Sequence, residues 1–323
     1  MKSLSLFASI CIFCAAIALN FETGAQAAPH AGDVASAPQK PTTTATLPLV
    51  IELDRPYVNL SFEKRDRSRR NARFLVDTGG GAFILSNALA DDLGLTLGTA
   101  MEEEGETFSP VRTPLKVFFG STPLELMPRR IIACGGTTIS KHIKDFDVDG
   151  MLPGHVLAQY HVVFDYPAKT LTLAPPKSVQ PKGVAIPMPV GKPSGFPRTE
   201  VTIAGVKYAM LIDTGASFTM VSEVLLKKFG EMNPQWPRYV GAHGGAKTLG
   251  GMTLETMYVP HAAWGGFEIG ELGITSQREG SFEKWMSSMM KAPIVGALST
   301  AAMREFRVEL DYANETLYLS KPK

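Results

Sequence analysis

Two short stretches constrain this chain more than any other feature. Phe74-Leu75-Val76 runs into Asp77-Thr78-Gly79, and 136 residues later (213 − 77) Met210-Leu211-Ile212 runs into Asp213-Thr214-Gly215. After each motif the chain stays mostly apolar until a serine, Ser86 or Ser222. One such motif is what an Asx turn at the end of a buried strand produces in many folds. Two copies demand more, because a buried Asp is costly unless something partners it. A fold that ends two equivalent strands in Asp is therefore expected to bring them together, and two carboxylates held about 3 Å apart cannot both ionise and must share a proton.

The repetition extends around the motifs. Thr199–Ile203 alternates polar with apolar, turns at Ala204-Gly205 and returns through Val206–Ile212, which predicts a hairpin delivering Asp213. Tyr57–Phe62 alternates in the same way before Asp77, with a longer polar tip over Glu63–Asn71 whose cations (Lys64, Arg65, Arg67, Arg69, Arg70) read as a solvated hairpin end. Ser86 and Ser222 are placed to cap short helices, the first closed by Gly94 and the second ending near Gly230. Asp149-Gly150-Met151-Leu152 and Ile294-Val295-Gly296-Ala297-Leu298 form another matching pair. From them a constant offset of 146 (296 − 150) carries Val162 onto Val308, Asp165-Tyr166 onto Asp311-Tyr312 and Thr170-Leu171 onto Thr316-Leu317. The predicted organisation is an internal duplication: an N-terminal lobe over 47–174, a Pro-rich linker over 175–183 and a C-terminal lobe over 184–323.

On these motifs the chain resembles the retropepsin-like and pepsin-like aspartic proteases, as a single-chain, two-lobed member, over Leu47 to Leu319. The resemblance implies a mainly β fold with short helices in each lobe. It also implies hydrolysis of peptide bonds by a water activated between Asp77 and Asp213, with no cofactor and no metal. Thr78 and Thr214 would cross-link the two loops, and Gly79 and Gly215 would bring backbone N–H groups close to the carboxylates. A hydroxyl residue is expected two positions after each Gly; Ser217 meets this and Gly81 does not. That asymmetry implies that Ser217 stabilises ionised Asp213, leaving the shared proton more often on Asp77. Thr99–Val111 occupies the flap position of the first lobe. In the second, Gly241, Ala242, His243, Gly244 and Gly245 form the corresponding substrate-binding flap. Two rival readings are a catalytically silent peptide-binding or protease-regulating relative, and an envelope docking protein using the Arg-rich hairpin.

The chain's beginning bears on where it works. Lys2, an apolar run over Leu4–Leu19 and Ala25-Gln26-Ala27 read as a signal peptide over 1–27, followed by a disordered Ala/Pro/Thr-rich leader over 28–46. The expected setting is an exported bacterial protein, periplasmic or secreted. Cys11 and Cys14 would leave with the signal, so Cys134 would remain alone, without a partner for a disulfide and read as a small core residue. With a formal net charge of +1, the chain has no electrostatic reason to bind nucleic acid. No later stretch is apolar enough to span a bilayer, and a monomer acting on a polypeptide substrate is expected. His142, His155, His161, His243 and His261 show no zinc-ligand spacing and read as surface or flap residues. Gln277–Lys291, with Trp285 and a Met-rich end, reads as an extra surface helix.

Overall fold

The structure is a computed structural model that describes residues 41–103, 106–135, 148–192, 194–241, 254–277 and 280–322. Mainly β, it holds three sheets and a few short helices among the described residues. One sheet of ten strands is drawn from residues 50–153 and one of nine from residues 198–299. The third has six strands, and at its centre His161–Asp165 pairs antiparallel with Arg307–Asp311, joining the two halves through backbone hydrogen bonds. Its first strand is Ala45–Pro48, which begins two residues inside the expected leader because it pairs with Thr170–Ala174.

The two large sheets place the same segments in the same order. In the first, Gly150–Pro153 lies between Arg69–Asp77, to which it is parallel, and Phe83–Ser86, to which it is antiparallel. In the second, Gly296–Ser299 lies between Val206–Asp213 and Thr219–Ser222 with the same senses. Pro153 stands opposite Asp77, and Ser299 opposite Asp213. Both glycines are dictated by close approach. A Cβ on Gly150 would lie 2.2 Å from the Ile84 carbonyl oxygen, and one on Gly296 would lie 2.4 Å from that of Met220.

Strand periodicity decides which way the aspartates face. Alternate residues share a face, so Phe74 and Val76 pack into the large core, where the Phe62, Phe74 and Phe83 rings stack at 5.3 and 5.2 Å. Leu75 turns to the opposite face with Tyr57, Ile84 and Met151, and Asp77 follows Leu75. In the second half Met210 and Ile212 are core, whereas Leu211 joins Phe196, Met220 and Ala297 on the face shared by Asp213.

The serine caps are present: Ser86 Oγ accepts from the Leu89 N–H at 3.1 Å and Ser222 Oγ from Leu225 at 3.2 Å. The second helix, Glu223–Met232, runs two residues beyond Gly230. The basic hairpin tip is spent within its own half. Lys64 and Arg70 both pair with Asp92 at 2.7 and 2.9 Å, Arg65 donates to the Gly94 carbonyl, and Arg69 lies over the Phe118 ring.

Two expectations need correcting. Gln277–Lys291 is helical only over Ser281–Met290, after the strand Leu272–Gln277, and while Glu283, Lys284 and Ser288 are exposed, a π-helical turn over Ser281–Met286 and a short helix over Ser287–Met290 drive Phe282, Met286 and Met290 into the cluster around Leu211 and Met220. These three residues recur every four positions and make one apolar face, which its polar neighbours Ser281, Glu283 and Ser287 disguise in the linear sequence. His155 and His161 are not surface residues either, being 3% and 1% exposed. His161 is compensated by Glu309 at 2.9 Å on the neighbouring strand.

Candidate active site

The two Asp-Thr-Gly loops meet. Each strand ends in its aspartate, and the loop folds back so that the Gly two residues on donates to it: Gly79 N–H to Asp77 Oδ1 at 2.9 Å and Gly215 N–H to Asp213 Oδ1 at 3.0 Å. Four reciprocal bonds then lock one loop to the other. Thr78 Oγ1 donates to the Ile212 carbonyl at 2.5 Å and accepts from the Thr214 N–H at 3.0 Å, while Thr214 Oγ1 donates to the Val76 carbonyl at 2.7 Å and accepts from the Thr78 N–H at 3.0 Å. Both threonines are fully buried. Neither half could satisfy these groups by itself, so the two loops hold their spacing only as a pair.

This lock fixes the carboxylates. Asp77 and Asp213 are 0% and 1% exposed and share a side-chain hydrogen bond. Burial pushes the Asp213 carboxyl well above the usual carboxylate range, the Asp77 charge and hydrogen bond raise it further, and the Gly215 N–H and Arg55 oppose the shift. The pair therefore holds a proton that an isolated Asp would have released. The contact expected from Ser217 to Asp213 is not made. That hydroxyl donates to the Leu53 carbonyl at 2.6 Å, not to Asp213.

The position that faces the outer carboxylate oxygen is one residue after the Gly, not two. A Cβ on Gly80 would lie 3.1 Å from Asp77 Oδ2, and the corresponding residue of the second loop is Ala216. Neither loop supplies a hydroxyl there. The signal was present in the sequence as Gly80 and Ala216, but the register of a tight loop is not visible from spacing alone.

Support comes from the adjoining segments. Gly154 N–H donates to the Gly80 carbonyl at 3.1 Å, and Thr300 N–H donates to Ala216 at 3.2 Å with its hydroxyl donating to the Thr214 carbonyl at 3.0 Å. Arg55, which the motif reading passed over, donates through Nε to the Gly215 carbonyl at 2.8 Å. Of the two expected flaps, the first holds Met101–Glu103 and Glu106–Pro110, which pair antiparallel. In the second, Arg238–Gly241 pairs with Leu254–Val259, with Gly241 opposite Leu254. The expected flap residues Ala242, His243, Gly244 and Gly245 lie outside the described residues, as does His142.

The family model described as aspartyl protease matches residues 199–275, which include Asp213. Among solved structures, the chain is similar to the aspartic proteinase from Irpex lacteus. The two share 12% sequence identity with a TM-score of 0.53, over 87% of this chain and 98% of that one. This likeness shows a shared fold across both halves. No curated protein matches. The family match thus lies in the second half, and the fold is shared over both.

Proposed function

We propose that this chain is an aspartic endopeptidase that hydrolyses peptide bonds through a water activated between Asp77 and Asp213. The observation that carries the reading is the carboxyl pair itself: buried, in mutual hydrogen-bonding contact, and held by loops that lock each other through Thr78 and Thr214. With one proton between them, the ionised member takes a proton from the attacking water while the protonated member donates to the scissile carbonyl oxygen. The raised carboxyl keeps one proton on the pair, and whichever member is ionised acts as the base. The proton taken from the water is later passed to the leaving nitrogen, and because water is the nucleophile no covalent enzyme intermediate forms.

A polypeptide would be bound in extended form beneath the hairpin flaps, pairing backbone to backbone. The signal-like residues 1–27 support an exported protein, periplasmic or secreted, with exported polypeptides as substrates, and we place the working form as a monomer. Among the described residues no helix is long and apolar enough to cross a membrane. The matching segment order and register of the two large sheets support an origin by internal duplication.

The test is cleavage of a denatured protein from acid to neutral pH by the wild type, Asp77→Asn and Asp213→Asn. The wild type should cut, and each substitution should reduce the rate by at least about a thousandfold. Wild-type binding of peptide without cleavage across that range would contradict the reading.

A further inference from the structure

The two carboxylates do not meet the same surroundings, and the difference comes from one hairpin. The turn between Val50–Glu52 and Arg55–Glu63 holds Leu53 and Asp54 with φ of 50° and 54°, the left-handed pair that a tight two-residue hairpin needs. Its tip reaches across to the other half at three points, two of them on the loop that carries Asp213. Ser217 Oγ donates to the Leu53 carbonyl, Arg304 pairs with Asp54 at 3.7 Å, and Arg55 Nε donates to the Gly215 carbonyl. Arg55 thus comes from the half that carries Asp77 but holds the loop that carries Asp213.

The matching position of the other half is not a cation. Arg55 precedes Pro56, and the matching Xaa-Pro of the other half is Phe196-Pro197. Phe196 is fully buried in the apolar cluster with Leu211 and Met286, and its neighbour Gly195 packs against the backbone of Gly154 and His155. The matching positions of the two halves are therefore a cation that holds the opposite loop and a phenyl ring buried among apolar side chains.

We infer that Arg55 is a positioning residue for the carboxyl pair: it clamps the Gly215 carbonyl from the opposite half and sets its cation beside the loop of Asp213. This rests on the peptidase reading for its consequence in catalysis, but not for its electrostatics. The charged and titratable groups around Arg55 are few. Asp77 and Asp213 form the pair, and Tyr57 lies beside Arg55 with its hydroxyl raised chiefly by burial and so neutral in the working range. Arg73 lies over the Tyr57 ring at 4.5 Å and is paired with Glu52, and Asp54 is paired with Arg304. Those two pairs hold their own charge, and among the described residues Arg55 is the cation that lowers the Asp213 carboxyl. A cation favours ionised carboxylates, so its removal moves both proton steps of the pair upward.

The experiment compares the pH profile of kcat/KM for the wild type, Arg55→Gln and Arg55→Lys, with Arg55→Met replacing the first if Gln prevents folding. Arg55→Gln should move both limbs up by about one pH unit. Arg55→Lys, which keeps the charge but loses the planar Nε donor, should keep the limbs within about 0.3 unit of wild type while kcat falls about tenfold. An unmoved profile in the neutral variants, or the same displacement in Arg55→Lys, would overturn the inference. Carboxyl ¹³C titration of Asp77 and Asp213 in the same full-chain variants reads the shift without turnover. A protein that cuts nothing yet shows the upward shift would sink the peptidase reading and leave the role of Arg55 standing.

Discussion

Gly215 faces the Asp77 carboxyl so closely that a Cβ on it would lie 2.6 Å from Asp77 Cγ and 2.7 Å from Oδ2. The converse contact, from Gly79 to Asp213 Cγ, is looser at 3.0 Å. Gly215→Ala must push Asp77 aside, so we expect loss of at least about a hundredfold in kcat, since small misplacements at a reacting centre are costly. Gly79→Ala should be the milder of the two. Parallel kinetics on folded protein check the order.

Thr78→Val keeps the shape of the side chain but strips both its hydrogen bonds, leaving the Ile212 carbonyl and Thr214 N–H buried without their cross-loop partner. Each orphaned group costs about 1–3 kcal/mol. We expect a loss of about 3 kcal/mol in denaturant unfolding, with a fall in kcat; Thr78→Ser should restore most of both.

Asp213→Asn should stabilise the folded protein at neutral pH. The folded carboxyl is raised above its ordinary value of 3.8, so the folded state holds a proton that the unfolded chain has released. Stability is then full below about pH 4 and declines as pH rises through the folded value. Replacing the acid removes that decline, a gain in stability at neutral pH that vanishes near pH 3. Thermal unfolding of both proteins across this range reads the crossover.

His155 titrates with the opposite sign. Burial pushes its imidazole down to about 3 from 6.5, with the Arg130 charge adding to the shift, and neither ring nitrogen has a hydrogen-bond partner among the described residues. Stability linked to it is present above pH 6.5 and is lost as pH falls toward 3, because only the unfolded chain takes the proton. His155→Leu should flatten that loss and raise the unfolding midpoint at pH 4 relative to wild type.

Features written in contiguous residues were legible in the sequence. The apolar runs into Asp77 and Asp213, the Ser86 and Ser222 caps, the Ala204-Gly205 turn and the Gly150 and Gly296 strands are each decided by local sterics or by a period of two. What crosses between halves was not. Ser217 carries nothing in the sequence to say that its hydroxyl finds Leu53, and Arg55 gives no sign that it reaches Gly215, because both contacts depend on how the halves dock. Burial of His161 was hidden for the same reason: its partner Glu309 is 148 residues away. The face made by Phe282, Met286 and Met290 was open to a periodicity argument, but a π-helical turn shifts the register and polar neighbours mask it.

The most direct test of the account is carboxyl ¹³C titration of Asp77 and Asp213 in the full chain. Sharing one proton predicts two well-separated steps that belong to the pair, the upper one well above the ordinary Asp range, with both resonances responding to each step. Two independent single-step titrations near pH 4 would contradict it.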